Sequence, residues 1–394
     1  MAPVRKSFKR RDRIVSHRDN EGSDETLDRL DPKDYADYFC SYGLLGHQKI
    51  MLDDSTRMGA YYTAIMENEV NFAGKVVLDV GCGTGVLAVF AARAGARKVY
   101  AVEATEAAEF AKVVVRTNDL EDRVVVIRNL IENVKLPEKV DIIVSEFMGH
   151  FLLRESMLDS VLEARDKFLK QDGAMYPSSA AMYLAPMTCK EEHKKFEKEH
   201  ADQLQQWENL TENFVEQYSI DLAGLTSAFS RESELDHFYE SKEVTIEPSD
   251  LIGDAVCIKE IDFLTATLDD VKQAELAFTM NITRAGPERT LDSFVGWFSV
   301  RFDGSSHNPS LVDMELSTGP EEEDGTHWGQ EAFLLQPRQI VQNGDKIEGS
   351  ISVYRRKDDK RNYTVDLEYF LPSSPSNSSN SRSNQMHRTR YQLS

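Results

Sequence analysis

Cysteine is scarce in this sequence, and its placement excludes the patterns that cysteine forms in disulfide-rich domains and zinc sites. Cys40, Cys82, Cys189 and Cys257 are far apart, and none belongs to a C-x-x-C pair. We therefore expect free thiols, with no metal site and no disulfide framework. Free thiols fit a reducing compartment, so we expect a cytoplasmic and nuclear location.

Long apolar runs are also absent. No stretch approaches the roughly 18 uncharged apolar residues of a membrane-spanning helix, so we expect no membrane contact. The first eighteen residues carry seven basic side chains and no apolar segment, which does not match a secretory signal. Residues 1–28 have the polar composition of a flexible basic arm, with a localisation signal as the alternative.

The sequence has fewer basic than acidic residues. The sequence has 46 Lys and Arg against 67 Asp and Glu, which gives a formal net charge of −21. Such a surface repels nucleic acid and attracts basic partners, so we expect no direct binding to nucleic acid. In the absence of any motif, the same charge would indicate solubility alone.

The hydrophobic pattern divides the 394 residues into two domains. Residues 33–74 have helical spacing, and short buried strands then alternate with helices. This alternation predicts a parallel, doubly wound sheet, a Rossmann-like domain of class α/β that covers residues 29–177. The predicted strands are 76–80, 98–102, 124–128 and 140–145, and the predicted helices are 86–94, 107–116 and 156–169, the last one closed by Asp172-Gly173.

The second half of the chain has a different pattern. Residues 190–241 are rich in Glu, Lys and Gln with spaced aromatics, which predicts an inserted helical arm. Alternating short strands predict a β-barrel or sandwich over residues 178–371. Residues 372–394 read as a Ser/Asn-rich linker, with 386–393 as a candidate last strand. The other predicted strands are 255–261, 277–282, 295–302, 332–335, 346–354 and 363–369.

A glycine-rich turn follows the first predicted strand. It reads Asp79-Val80-Gly81-Cys82-Gly83-Thr84-Gly85, and its glycines let the backbone turn sharply and approach a ligand closely. Dinucleotide sites require G-x-G-x-x-G, whereas this turn has G-x-G-x-G with an acid two residues earlier. S-adenosylmethionine has no phosphate, and its ammonium group suits the carboxylate of Asp79. The turn therefore favours this cofactor, with a tight turn that binds nothing as the alternative.

Two further acids stand at the ends of the next predicted strands. Glu103 closes the second strand, where a carboxylate can accept both hydroxyl groups of a ribose. Glu132 follows the third strand, beside the place expected for an adenine edge. A surface glutamate and a solvated loop acid are the respective alternatives.

The fourth predicted strand leads into a loop with two carboxylates, Glu146 and Glu155, called here the two-glutamate loop (residues 146–155). The Asn/Asp-Pro-Pro-Tyr of many base methyltransferases is absent. Arginine has a pKa above ~12 and arrives as a planar cation beside the positive sulfur of the donor. Unit charges about 4 Å apart repel by about 4 kcal/mol at an effective dielectric of ~20. Two carboxylates can offset this repulsion and orient the guanidinium plane, with surface charges as the alternative.

In the second half, Thr326-His327-Trp328 follows an acidic loop. His327 could accept the proton that leaves during methylation, and Trp328 could stack on the cation. Packing is the alternative role for both side chains.

Together these residues resemble the protein arginine N-methyltransferases. Five motifs follow the order of that family: Tyr38-Phe39-x-x-Tyr42, the glycine turn, the two-glutamate loop, Tyr176-Pro177 and Thr326-His327-Trp328. The resemblance implies a cofactor-binding domain, a β-barrel and a helical arm that makes a head-to-tail homodimer. It also implies that S-adenosylmethionine is the cofactor and that S-adenosylhomocysteine is the product.

The resemblance further implies roles for single residues. Glu146 and Glu155 would hold the substrate arginine. Asp54 would pair with His327 between the two domains, and Arg57 would bind the cofactor carboxylate. The other residues implied at the cofactor or in the substrate pocket are Tyr38, Tyr42, Met51, Met148, Met157 and Trp328.

Three positions depart from the family pattern. Phe147 and His150 stand where the two-glutamate loop usually carries Trp and Tyr. Gln48 stands where a histidine is often found ahead of the Met51 motif, and His47 is beside it. None of these changes removes a charge that the mechanism requires.

The sequence thus predicts a type I arginine methyltransferase that makes mono- and asymmetric dimethylarginine, which Met51 favours by resemblance. Its partners would be arginine-containing basic proteins, such as histones and Arg/Gly-rich segments, because the acidic surface attracts them. A catalytically silent dimeric scaffold for basic proteins and a methyltransferase for a non-arginine amine are the alternatives. The glycine spacing disfavours a nicotinamide-dependent dehydrogenase.

Overall fold

The computed structural model describes residues 38–286, 289–320, 325–372 and 384–393. The predicted basic arm, the acidic loop 321–324 and the linker residues 373–383 lie outside the described residues. Within the described part of the chain, no helix is long and apolar enough to cross a membrane.

The predicted helical stretch 33–74 consists, from residue 38 onward, of separate helices. These are Cys40–Tyr42, α1 (Leu45–Asp53), α2 (Ser55–Met66) and Glu69–Phe72. Asp54 separates α1 from α2 because its backbone is extended, with ψ 95°. Its side chain accepts a hydrogen bond from the amide of Arg57. Asp54 is therefore the N-cap of α2 and sets the direction in which that helix begins.

A five-stranded parallel sheet forms the first domain, in the order β3-β2-β1-β4-β5. All five residues of the central strand β1 are buried, as expected when helices cover both faces of a sheet. The predicted doubly wound, Rossmann-like sheet is confirmed. The elements are β1 (Val76–Val80), α3 (Val86–Arg93), β2 (Lys98–Glu103), α4 (Ala107–Thr117), β3 (Val124–Arg128), β4 (Val140–Ser145), α5 (Leu158–Phe168) and β5 (Leu169–Tyr176).

One predicted boundary in this domain is wrong. The sequence predicts that Asp172-Gly173 ends the last helix, whereas α5 ends at Phe168 and both residues lie inside β5. A Cβ on Gly173 would lie 2.5 Å from Cδ1 of Leu169 and 3.0 Å from the carbonyl oxygen of Asp141. The glycine therefore allows the close and irregular pairing of β5 with β4, which the sequence pattern did not distinguish from a helix stop.

The helical arm is present where the sequence predicts it. It consists of α6 (Lys190–Tyr218), α7 (Thr226–Glu234) and a π-helical turn, Leu235–Tyr239. The indole of Trp207 stacks on the ring of Phe229, with 4.4 Å between the ring centroids. Although α6 has 29 residues, His193 is the one that it buries, so the arm adds little to the core of its own chain.

Two antiparallel sheets form the second domain. Their orders are β7-β12-β10-β6-β8, with β11 paired to β10, and β15-β14-β13-β9. Single bridges, Glu240 to Gln392 and Gly253 to Ile282, join the sheets and close a barrel. The strands are β6 (Ser179–Met187), β7 (Lys242–Val244), β8 (Val256–Asp262), β9 (Gln273–Asn281), β10 (Leu291–Arg301), β11 (Glu315–Ser317), β12 (Gln330–Gln339), β13 (Lys346–Arg355), β14 (Tyr363–Pro372) and β15 (Asn384–Leu393), and α8 (Leu268–Lys272) precedes β9.

The prediction of a barrel is confirmed, and so is the candidate last strand, which is β15. Sequence analysis did not predict the strands β5, β6, β7 and β11. β6 was missed because alanine and proline, which have little preference for strands, occupy much of it. It nevertheless lies between β10 and β8 in the larger sheet.

The two domains share one continuous hydrophobic core. Arg355 of β13 also binds Asp159 of α5 with two hydrogen bonds, of 2.6 Å and 2.8 Å. A paired guanidinium and carboxylate of this kind fixes orientation as well as distance. The domains are therefore held in a defined arrangement, and a cavity lies between them at the carboxyl ends of β1, β2 and β4.

Candidate active site

Most of the predicted site residues meet in this single cavity. The wall is formed by the first helices, the glycine turn, the two-glutamate loop and the Thr326-His327-Trp328 segment. The predicted residues that line it are Tyr38, Tyr42, Met51, Arg57, Gly81, Gly83, Glu103, Glu132, Glu146, Met148, Glu155, Met157, His327 and Trp328.

The glycine turn forms one end of the cavity with its backbone. Gly81 and Gly83 have φ of 70° and 51°, in the left-handed region that favours glycine. A Cβ on Gly81 would lie 2.1 Å from Cε of Met157, and one on Gly83 would lie 2.5 Å from Oε1 of Gln48. A side chain at either position would therefore fill the space between the turn and the opposite wall. Gly85 has a different role, because it begins α3 and packs on Ala111 outside the cavity.

Glu103 is fixed by the turn beside it. One carboxylate oxygen accepts the amide of Gly83 at 2.9 Å, and the other accepts the amide of Thr105 at 2.8 Å. Each carboxylate oxygen can accept a second hydrogen bond, so this group fits the two hydroxyls of a ribose. Glu132 also lines the cavity and accepts a hydrogen bond of 2.6 Å from the hydroxyl of Ser160.

Asp79 does not occupy the predicted place. Its carboxylate is buried in β1 and is absent from the lining of the cavity. Burial raises the pKa of Asp79 to about 7, and the nearby charge of Glu103 adds to this effect. Because Asp79 does not line the cavity, its contact with the ammonium group of the cofactor stays a prediction.

The two-glutamate loop has an unusual backbone. Phe151, Leu152 and Glu155 have φ of 49°, 67° and 74°, a region that side-chain-bearing residues rarely adopt. The chain also folds tightly on itself, because a Cβ on Gly149 would lie 2.0 Å from the carbonyl oxygen of Arg154. Backbone of this kind persists where its surroundings over-determine it, and such positions cluster at functional sites.

Glu146 is paired with an arginine of the first domain. Its Oε2 atom accepts hydrogen bonds from Nε and Nη2 of Arg57, at 3.0 Å and 2.8 Å. Its Oε1 atom accepts the amide of Met148 at 3.0 Å, and Nη1 of Arg57 donates to the carbonyl of Met51. Arg57 therefore lines the cavity beside Glu146, one of the two residues predicted to hold the substrate arginine. The predicted contact of Arg57 with the cofactor carboxylate stays a prediction.

Glu155 is held by a neutral partner. Its carboxylate accepts a hydrogen bond of 2.7 Å from the hydroxyl of Tyr42. Burial raises the pKa of Glu155 and the charge of Glu146 raises it further, whereas the bond from Tyr42 and the charge of Arg154 lower it. Burial and the neighbouring carboxylates also raise the pKa of Tyr42, so the phenol remains a donor. Glu155 therefore gains most from an additional cation.

His327 and Asp54 form the contact that the resemblance implies. Nδ1 of His327 lies 2.6 Å from Oδ2 of Asp54, which also accepts the amide of His327 at 2.9 Å. Although burial raises the pKa of Asp54, the hydrogen bonds from His327 and Arg57 outweigh it and lower the pKa. Asp54 does not line the main cavity, and it instead lines a more open groove that His327 also borders.

Trp328 is packed inside the protein and exposes little of its ring for a substrate cation to stack on. It is 3% exposed, and its indole nitrogen donates to the carbonyl of Met148 at 2.8 Å. Nδ1 of His150, the residue that replaces the usual tyrosine, lies 3.1 Å from the carbonyl oxygen of Trp328. The indole therefore fastens the Thr326-His327-Trp328 segment to the two-glutamate loop, which favours the packing alternative.

Two further lining residues carry no motif that sequence analysis could use. Gln48 is buried and donates to the carbonyl of Tyr42 at 2.9 Å. Arg361 comes from the hairpin between β13 and β14, far away in sequence. The departure at Gln48 pointed to the first of these residues. Nothing in the local sequence pointed to Arg361.

Comparisons with known proteins agree with this arrangement. Residues 178–374 match the family model "Arginine methyltransferase oligomerization subdomain". Residues 63–214 match the family model of ribosomal protein L11 methyltransferase, so the first domain has the fold of a methyltransferase domain. The chain is similar to protein arginine N-methyltransferase PRMT10 of Oryza sativa subsp. japonica, with 46% identity over 341 residues, which cover 86% of this chain and 89% of the relative.

Solved structures give the same result. A crystal structure of Arabidopsis thaliana protein arginine methyltransferase 10, described as uniquely open, matches with a TM-score of 0.86 and 37% identity over 91% of this chain and 100% of that chain. A Trypanosoma brucei PRMT1 enzyme-prozyme heterotetramer with S-adenosylhomocysteine matches with a TM-score of 0.71 and 29% identity, over 89% of this chain and 99% of that chain. The chain belongs to the protein arginine N-methyltransferase family.

Proposed function

We propose that this chain is a type I enzyme of its family. It transfers methyl groups from S-adenosylmethionine to guanidinium nitrogens of arginine in basic proteins and makes mono- and asymmetric dimethylarginine. The observation that carries the proposal is that Glu146 and Glu155 face the same cavity as the glycine turn. A carboxylate pair at this place matches a planar cation and disfavours a neutral amine as acceptor.

The glycine-turn end of the cavity fits S-adenosylmethionine. When bound, this cofactor supplies an electrophilic methyl group on a positively charged sulfur. Glu103 presents two carboxylate oxygens, already oriented by backbone amides, to the ribose hydroxyls. The absence of side chains on Gly81 and Gly83 leaves the backbone open to close approach. The Trypanosoma brucei relative with S-adenosylhomocysteine supports this assignment.

Glu155 can accept more hydrogen bonds from the substrate guanidinium than Glu146 can. Tyr42 uses one acceptor position on its carboxylate, whereas Glu146 already accepts three hydrogen bonds. A guanidinium placed between the two carboxylates would offset the effect of burial and keep Glu155 ionised. It would also draw positive charge toward the held nitrogens and leave the remaining nitrogen more nucleophilic, an effect that grows in the transition state.

His327 is placed to accept the proton that the methylated nitrogen loses. Because the carboxylate of Asp54 accepts the hydrogen on Nδ1, the Nε2 atom is left as the proton acceptor. The contact also holds the ring in one orientation, as in other acid–histidine pairs. Proton removal through His327 completes the transfer.

The partners follow from charge and exposed apolar surface. A net charge of −21 attracts arginine-rich proteins such as histones. The free cysteines fit a reducing compartment, so we infer that the enzyme is located in the cytoplasm and the nucleus. The arm exposes large apolar side chains, and so do α2 and α4 of the first domain, which both contact α3. We assign these two surfaces to each other in a head-to-tail homodimer. The exposed arm residues are Leu210, Val215, Tyr218, Ile220 and Leu225, and those of the first domain are Tyr62 and Val113.

The direct test of the proposal is the substitution Glu155→Gln. The amide keeps the size of the side chain but loses the charge that holds the guanidinium, so we expect turnover to fall by at least ~100-fold. Binding of S-adenosylhomocysteine, measured by calorimetry, should remain within a few-fold of the unmodified protein. Glu163→Gln on the exposed surface of α5 is the matched control. Near-normal turnover of Glu155→Gln would show that the two-carboxylate mechanism is wrong.

A further inference from the structure

The hairpin between β13 and β14, called here the 356–362 hairpin, is stabilised by hydrogen bonds among its own residues. The amide of Arg356 donates to the carbonyl of Asn362 at 2.9 Å. The side chain of Asp359 accepts the amide of Arg361 and the side-chain amide of Asn362, both at 3.1 Å. A short loop with this many internal hydrogen bonds presents its side chains in a defined direction.

This hairpin holds the end of the two-glutamate loop from outside. The amide of Glu155 donates to the carbonyl of Arg361, and Nη1 of Arg361 donates to the carbonyl of Glu155, both at 2.7 Å. The hydroxyl of Ser156 donates to the carbonyl of Lys360 at 2.6 Å. Glu155 and Ser156 both have positive φ, so these bonds stabilise a backbone that the local sequence disfavours.

The guanidinium of Arg361 also contacts two aromatic residues at the start of the described chain, Tyr38 and Phe39. Its central carbon lies 3.7 Å from the ring centroid of Tyr38 and 5.1 Å from that of Phe39. A cation on an aromatic face at this distance is attracted by the ring, and more strongly so when water is excluded. Tyr38 and Phe39 belong to the 38–42 turn, whose Tyr42 donates to the carboxylate of Glu155.

Three segments that are distant in sequence are thereby joined in a closed set of contacts. The 38–42 turn contacts Glu155 through Tyr42, Glu155 contacts Arg361 through its backbone, and Arg361 contacts the turn through Tyr38. The turn and the glutamate both line the cavity, and the bond from Tyr42 joins them directly. Arg361 adds a second link between them, from the ring of Tyr38 to the backbone of Glu155.

We propose that Arg361 is a positioning residue that couples the seating of the 38–42 turn over the cofactor to the placement of the Glu155 carboxylate. This inference rests on the function proposed above for the two ends of the cavity. Tyr42 and Arg361 together hold the turn and Glu155 in one arrangement, so a cofactor that contacts the turn strengthens the binding of a peptide to Glu155. By reciprocity, an arginine peptide on Glu155 tightens cofactor binding by the same factor.

The test is calorimetric binding of S-adenosylhomocysteine to the full chain, with and without a saturating arginine-rich peptide. For the unmodified protein we expect the peptide to lower the Kd of S-adenosylhomocysteine. Arg361→Gln should raise this Kd about tenfold and reduce the effect of the peptide, because the contact with Tyr38 is lost while the bond from Tyr42 to Glu155 remains. Arg361→Lys keeps the charge without the planar fork and should fall between the two. Arg356→Gln, in the same hairpin but paired with Asp358, is the control and should leave both values unchanged.

A double-mutant cycle separates coupling from general loss of structure. If Arg361 acts through Tyr38, then Tyr38→Leu should raise the Kd as Arg361→Gln does, and the double variant should bind no more weakly than either single variant. Losses that multiply, or an Arg361→Gln variant that binds as the unmodified protein does, would overturn the proposal. If no arginine peptide binds or is methylated, the proposed function fails instead, while the cycle still decides whether Arg361 acts on the cofactor end through Tyr38.

Discussion

Glu146 and Glu155 are chemically identical, but the fold gives them different partners. The first is paired with the guanidinium of Arg57, and the second with the neutral phenol of Tyr42. An ionic partner at hydrogen-bond distance limits how far a carboxylate can serve a new cation, whereas a neutral donor does not neutralise it. Arg154 and Arg361 act on the Glu155 carboxylate only through their nearby charge. The substrate arginine is therefore expected to depend more on Glu155 for its charge and more on Glu146 for its orientation.

The contact between Asp54 and His327 can be tested with the substitution Asp54→Asn. Asp54→Asn retains a side-chain oxygen that can cap α2, because Asn and Asp are equally good N-caps. The cap should therefore survive, but the thermal midpoint of unfolding should fall slightly, because the backbone amide of His327 loses the oxygen that accepts its hydrogen bond. The charge that orients His327 is lost, so kcat should fall by roughly tenfold or more. Steady-state kinetics and thermal unfolding together check this, and an unchanged kcat would show that His327 needs no orienting acid.

The buried carboxyl group of Glu331 should make the stability of the folded protein depend on pH. It is 4% exposed, and burial raises its pKa from 4.5 to about 7. His150, 3.6 Å away, does not compensate, because burial lowers its own pKa to about 4 and leaves it neutral. Between pH 4.5 and 7 the folded protein keeps a proton that the unfolded chain has released. The contribution of Glu331 to stability is therefore greatest below pH 4.5 and is lost as the pH rises through 7.

Glu331→Gln imitates the protonated carboxyl at every pH. It should add up to ~3 kcal/mol to the free energy of unfolding at pH 8 and much less at pH 5, the change in pKa setting this limit. Urea unfolding at the two pH values measures the difference. Glu260→Gln, on an exposed residue of β8, is the control and should change stability little at either pH. A gain of equal size at both pH values would contradict the assignment.

At this scale, sequence reasoning found the residues whose type and position both carry information. Glu103 ends β2, Glu146 directly follows β4 and Glu155 ends the two-glutamate loop, and all three line the cavity. Asp79 shows the limit, because spacing gives the place of a residue but not the face to which its side chain points. Arg361 could not be found, because its position at the site depends on how a distant hairpin packs.

Among the elements, the two-glutamate loop has the least freedom. Gly149→Ala would place a Cβ 2.0 Å from a backbone carbonyl, which cannot move aside as a flexible side chain can. We expect a loss of roughly 1–3 kcal/mol in unfolding free energy, together with loss of activity because the glutamates shift. Gly59→Ala, on the exposed face of α2 with open space around it, should instead stabilise by up to ~1 kcal/mol. Similar effects of the two substitutions would refute the tight packing at Gly149.

Elements with a strong pattern were predicted within a few residues, and weakly patterned ones were not. The buried strands β1 to β4 and the long helix α6 have clear periodicity. The alanine-rich β6 has little strand preference and acquires its structure from its neighbours β10 and β8. The sequence predicts a helix stop at Gly173 because it does not reveal how closely this residue approaches Leu169 of its own strand and the carbonyl oxygen of Asp141 in β4.

For the whole molecule, the exposed apolar residues of the arm predict association. Leu210→Asp and Val215→Asp together should give a monomer in sedimentation, because each places a charge in the proposed contact. Lys195→Asp, on the same helix but among charged residues, is the control for the change in charge. A dimer that persists in the double variant would show that the contact between copies lies elsewhere.

The central claim of this account is that the cavity methylates arginine asymmetrically. Mass spectrometry of an arginine-rich histone-tail peptide, incubated with the purified protein and S-adenosylmethionine, tests it most directly. Fragmentation distinguishes the two dimethylated forms, since the asymmetric form loses dimethylamine and the symmetric form loses monomethylamine. We predict asymmetric dimethylarginine on that peptide and no product on a copy with lysine in place of arginine. Symmetric product, or none from a protein shown to bind the cofactor, would contradict the claim.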